Sequence, residues 1–215
     1  MPIDRRRQSK LIAVICADVF GAGDAEIGRR LRPALKRLNQ LFAPAIAEAF
    51  VMKGTGRVVG ALADPAQAPL CISVLRESLA PVQLRVGVGI GPVEPLGDAE
   101  AGRHDLHSLA LRALQLAVRD DGLGRYLGTG EAGDVLLGAL CRLVDPLIRA
   151  RTEKQWEAIA AYRDLGHQRD VAERLGVTRQ SVGDRLTAGH RRAVEEADAA
   201  VATYLSYLHR ERVTP

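Results

Sequence analysis

An α+β fold is predicted: a ferredoxin-like β-α-β-β-α-β domain over residues 1–130, then an all-α helix-turn-helix domain over residues 131–215. Three observations predict it. Strand-like apolar runs alternate with helical apolar stripes through residues 11–118. A glycine-rich stretch at 122–133 makes a natural break. Beyond it, residues 168–186 read QRDVAERLGVTRQSVGDRL, a helical apolar set interrupted once at Gly176.

The elements follow in order. Residues 11–17 form a short, branched, buried strand. Asp24 is placed to cap a long amphipathic helix reaching about residue 49, with Ile27, Leu31, Leu35, Leu38 and Leu41 on its inner stripe. Residues 50–52 and 57–62 flank Lys53-Gly54-Thr55-Gly56 and read as a β-hairpin. Pro65 opens a helix to about Leu79. Residues 84–90 are a strand whose alternate glycines, Gly87, Gly89 and Gly91, let a helix pack close. A loop over 92–102 leads to a helix over 104–118.

Past the glycine-rich break, a helix over 134–150 leads into a three-helix headpiece at 152–190, with Trp156 in its core. In the headpiece, Val171, Ala172, Leu175, Val177, Val182 and Leu186 are the apolar positions. Ala172 is small where two helices cross closely, and Gly176 supplies the left-handed residue that ends the first helix. Thr178 caps the second helix. Arg179, Gln180 and Ser181 follow the cap, with Asp184 and Arg185 one turn later. Arginine and glutamine side chains read guanine and adenine edges in the major groove. With Gln168 and Arg169 on the first helix, these residues are the expected contacts to double-stranded DNA. An apolar stripe from Val194 to Leu208 marks a long last helix, covering either the first domain or a second copy.

Composition bounds the alternatives. Net charge is only +4, so bulk electrostatics do not hold a polyanion. Residues 151–192 nevertheless carry nine basic against six acidic side chains. No apolar run is long enough to span a membrane, and Asp18 interrupts the first one after a basic start (Arg5, Arg6, Arg7, Lys10), so a cytoplasmic protein is expected. Cys16, Cys71 and Cys141 are odd in number and far apart, which points to buried thiols. His104 and His107 have no further ligand nearby, so neither metal nor cofactor is expected.

The helix-turn-helix resembles that of sigma-factor region 4 and LuxR-type regulators, at Asp170-Val171-Ala172, Leu175-Gly176-Val177-Thr178, Val182 and Leu186. That likeness covers about twenty residues and is specific for the motif alone. A second resemblance, to the SatD family, rests on residues 12–18 (IAVICAD), the hairpin near Gly54 and residues 84–91 (LRVGVGIG). It implies an N-terminal domain of this kind joined to a C-terminal helix-turn-helix across nearly the whole chain.

The same element order resembles the palm of nucleotide and diguanylate cyclases, where two carboxylates hold metal ions against nucleotide phosphates. SatD-like chains carry a Gly-Asp-Glu-Phe-like hairpin, whereas this one reads Gly54-Thr55-Gly56-Arg57. Asp18 and Asp24 remain near the first strand, and Lys53 and Arg57 are cations able to hold an anion. The expectation is therefore a homodimeric DNA-binding regulator without catalytic residues, whose front domain senses an effector or assembles the dimer. The alternative is a nucleotide-binding or cyclase-like enzyme with a degenerate palm.

Overall fold

The structure is a computed structural model describing residues 10–93 and 99–213. The basic residues Arg5, Arg6 and Arg7, and positions 94–98 of the expected loop, lie outside the described residues.

The chain is mixed α+β, built around one sheet of order β2-β3-β1-β4-β5. Strand β1 (Lys10–Phe20) lies at its centre, antiparallel to both neighbours. Its near-continuous burial explains the unbroken apolar run, because helices cover both sheet faces. Leu11, Ala13, Ile15 and Ala17 enter the larger core cluster, and Ile12, Val14 and Cys16 the smaller one on the opposite face. Strands β2 (Ile46–Lys53) and β3 (Arg57–Leu62) form the expected hairpin, and β4 (Gln83–Val93) pairs along all of β1.

Two expectations need correction. Helix α1 (Asp24–Leu41) stops well short of residue 49. Residues 46–49 look helical in isolation, yet they belong to an edge strand, since pairing with β3 overrides propensity there. The Asn39 amide fixes the change of direction, donating to the Phe50 carbonyl at 2.9 Å and accepting from the Phe50 N–H at 2.8 Å. Leu41, assigned to the inner stripe, is 55% exposed, and the N-cap is Gly23 rather than Asp24.

The second correction concerns the glycine-rich break. Strand β5 (Gly124–Leu127) lies inside it, parallel to β4. Helix α3 (Ala99–Arg119) makes the crossover between them. The four residues of β5 are too few to show a period in the sequence.

Helix α2 (Ala68–Leu79), after a 3-10 turn at Pro65–Gln67, packs beside α1. Helices α4 (Glu131–Arg149), α5 (Glu153–Leu165), α6 (Gln168–Leu175), α7 (Arg179–Ala188) and α8 (Arg191–Val213) complete the chain. Leu137 of α4 and Val201 and Leu205 of α8 join the large core against the sheet, so the last helix covers the front of its own chain. Helices α5 to α7 keep a separate core.

Buried polar groups tie these layers together. The Asp145 carboxylate accepts from the Leu123 N–H at 2.6 Å, and burial pushes its pKa up. Asp198 accepts from the Ser73 hydroxyl at 2.5 Å and is likewise raised by burial. Among the described residues, no helix is long and apolar enough to cross a membrane.

Candidate nucleic-acid interface

Local sequence builds the headpiece step by step. Thr152 starts α5 with a capping box: its hydroxyl takes the Gln155 N–H while the Gln155 side chain takes the Thr152 N–H. Trp156, expected in the headpiece core, is buried instead with Leu123, Ile148 and Val194 where α5 meets α4 and α8, and the Arg151 guanidinium sits 4.6 Å from its ring centroid. Arg151 also donates to the Gly189 carbonyl at 2.8 Å, fastening the end of α7 to the start of α5.

The turn between α6 and α7 has the geometry its residues require. Gly176 adopts φ 63° and ψ 35°, a left-handed conformation that costs a side-chain-bearing residue about 1 kcal/mol or more. The Val177 N–H then closes on the Ala172 carbonyl at 3.0 Å, satisfying a helix-end acceptor. Ala172 is 8% exposed between the helices. Thr178 accepts from the Ser181 N–H at 3.1 Å and begins α7. Replacing Thr178 with alanine is expected to remove about 1 kcal/mol of stability, read as a lowered urea midpoint with unchanged slope.

Val182 and Leu186 bury one side of α7 with Ile159, Val171 and Ala172. The helical period then turns Gln180, Asp184 and Thr187 outward together, with Gly183 half-buried between them. Arg179 stands exposed at the start of the helix, and among the described residues no ion pair holds it. Arg169 is exposed on α6, while Ser181 is half-buried beside its cap. Gln168 lies across Gly183: a β-carbon there would meet the Gln168 amide oxygen at 3.7 Å.

Arg185 is placed differently from its neighbours. Its side chain is only 18% exposed and points back to α5, with Nη1 3.6 Å from Glu157 Oε2. Gly183, Thr187 and Glu157 were absent from the sequence-based set. The period of α7 locates the first two, but nothing local in sequence pairs Arg185 with Glu157. Of the nine basic side chains between 151 and 192, five form ion pairs: Arg163, Arg174, Arg185, Arg191 and Arg192. The basic excess is thus largely neutralised within the fold. Arg169 and Arg179 remain as outward cations on the two helices of the motif.

The front-domain candidates divide into two groups. Asp18 and Arg57 face each other in register on β1 and β3 and form a bidentate pair at 2.8 and 2.9 Å. The hydrogen bond and charge of Asp18 hold the Arg57 guanidinium above its ordinary pKa. Both carboxylate oxygens therefore already face a guanidinium. Asp24 lines a shallow depression with Arg29, Arg32, Gly54 and Thr55, and Lys53 is exposed at the hairpin end opposite Arg57. Among the described residues, no three His, Cys, Asp or Glu side chains are grouped to hold a metal ion.

No protein-family model matches the chain, and no curated protein matches it. The SatD resemblance thus rests on its short motifs. Among solved structures, the chain is similar to a regulator of polyketide synthase expression from Bifidobacterium adolescentis. Identity is 18%, over 95% of this chain and 87% of that one, with a TM-score of 0.28.

Proposed function

We propose that this chain is a sequence-specific, double-stranded-DNA-binding transcription regulator of the cytoplasm. One observation carries the reading: α7 is capped by Thr178, anchored by Val182 and Leu186, and exposed along the face of Gln180, Asp184 and Thr187. A helix held on one side and polar on the other is what a major groove admits. Gln180 has the donor and acceptor for adenine, Arg179 the fork for guanine or phosphate, and Asp184 an acceptor for a cytosine amine. Arg185, braced by Glu157, serves better to orient α7 than to reach a base.

The N-terminal sheet is read as a ferredoxin-like unit extended by one parallel strand. It serves sensing or assembly rather than catalysis, because Arg57 occupies both oxygens of Asp18. The protein acts as a homodimer on two-fold sites, since paired headpieces match paired half-sites.

The test is the double substitution Arg179→Ala with Gln180→Ala, measured on a site selected from random DNA. Each good bidentate contact is worth about 1–3 kcal/mol, so losing two is expected to weaken binding at least about thirtyfold with the melting temperature unchanged. Unchanged affinity and base preference in the variant would remove α7 as the reading helix.

A further inference from the structure

Helix α4 is apolar on both sides. Its inner side buries Leu137 and Ile148. Its outer side carries Ala132, Leu136, Ala139, Leu143 and Pro146, spaced alternately four and three residues apart, with Val135 beside them. Leu143 is 72% exposed, Val135 61% and Leu136 56%. These are three of the eight large hydrophobic side chains exposed among the described residues, all on one helix face. Tyr207, 52% exposed, lies on α8, which packs against α4. A contiguous apolar patch beyond a few hundred Å² marks a contact site on a soluble protein.

We propose that this stripe is the interface of a homodimer, formed by two α4 helices packed antiparallel about a two-fold axis near Ala139. The inference rests on the DNA-binding reading only for the dimer's purpose; the surface itself stands on packing and charge. The spacing of the stripe averages 3.5 residues, the period that keeps a seam against another helix and not against an extended peptide or a flat surface. Charge selects the occupant and its direction. Glu131 and Arg149 stand eighteen positions apart, five full turns, and so share one flank of the stripe, with Arg149 also bonded through Nη2 to Asp121 of its own chain. Antiparallel two-fold packing brings Glu131 of each copy beside Arg149 of the other, twice over. Parallel packing leaves both glutamates at one end and both arginines at the other, with no opposite charge in reach. The helix dipoles favour the same arrangement.

Size fixes the strength. Two helices with flanking tyrosines form an interface at the small end, below roughly 1,200 Å² in total, so dissociation falls in the micromolar range. Two headpieces on one DNA site then reinforce it.

The test is sedimentation equilibrium of the full chain over the micromolar range, without DNA. The wild type is expected to shift from monomer to dimer, and Leu136→Lys with Leu143→Lys to stay monomeric at every concentration with an unchanged melting temperature. Glu131→Lys is expected to weaken association several-fold. A short bismaleimide should cross-link Ala139→Cys to itself but leave the wild type uncoupled, because burial pushes Cys71 and Cys141 up to about 12 and Cys16 to about 11. A monomeric wild type, a dimer that survives the lysines, or absence of cross-linking at position 139 overturns the interface. Since mass is read without DNA, each of those results leaves the role of α7 untouched. A dimer that binds no DNA sequence selectively removes the reading of α7 and keeps the interface.

Discussion

Gly87→Val is expected to prevent this protein from folding, and Gly87→Ala to cost about 3 kcal/mol or more, at the upper end of overpacking penalties. A β-carbon at Gly87 would stand 2.2 Å from the Ala110 carbonyl oxygen and 2.2 Å from the Leu114 nitrogen. These are backbone atoms in the middle of α3, which no rotamer change can move aside. Gly89 repeats the approach one pleat later, 2.7 Å from the Leu106 oxygen. The helix must retreat along its length, and its contacts with β1, β4 and β5 go with it. Urea denaturation read by circular dichroism checks the cost. Gly102→Ala is the control: it lies on the same helix with nothing within 4 Å, and is expected to be neutral or stabilising by up to about 1 kcal/mol. Equal losses at 87 and 102 would show that helix propensity, and not the close approach, sets the result.

That glycine row was legible in the sequence, because alternation in a strand places all three glycines on one face. The headpiece was legible for a similar reason: cap, glycine turn and apolar period are local signals, and Thr178, Gly176 and Val182 sit as their spacing requires. What escaped was decided across the chain. Residues 46–49 have a helical composition and became an edge strand because β3 offers a partner and Asn39 a clamp. The strand Gly124–Leu127 is recognisable only once β4 lies beside it. Position in the sequence made Arg185 look like Arg179, but Glu157 on another helix separates their roles. The outer row of α4 reads as core in one dimension, since Leu136 and Leu143 resemble Leu137 until the fold shows which side faces the sheet. At the front, Asp18 and Arg57 were both singled out, while their pairing followed only from the strand register.

Arg163→Ala is expected to destabilise the protein by about 3–5 kcal/mol, the usual consequence of stranding one member of a buried ion pair. Arg163 of α5 makes two hydrogen bonds, at 2.6 and 2.7 Å, to Glu77 of α2, whose side chain is only 6% exposed. Burial opposes the charge on Arg163, yet the Glu77 hydrogen bonds outweigh it and its pKa lies above the ordinary value. The double variant Glu77→Gln with Arg163→Met removes both charges and is expected to recover most of the loss, giving a coupling energy of about 2 kcal/mol or more in a double-mutant cycle. The position of the pair gives the effect a functional sense. Helix α2 belongs to the core of the sheet and α5 carries α7, so this bridge joins the two halves of the chain. Arg37 of α1 reaches Asp164 at 2.5 Å beside it, and Ser73 of α2 holds Asp198 of α8 at 2.5 Å. All three links run from α1 and α2 to the helices that frame the headpiece. If the front domain governs DNA binding, a shift of α2 is its most direct route to α7. The recovered double variant should therefore keep its fold while weakening any dependence of DNA affinity on the front domain, with the Arg37–Asp164 and Ser73–Asp198 links left in place. A loss below about 1 kcal/mol on Arg163→Ala, the value of an exposed pair, would mean that the headpiece is not anchored at this bridge.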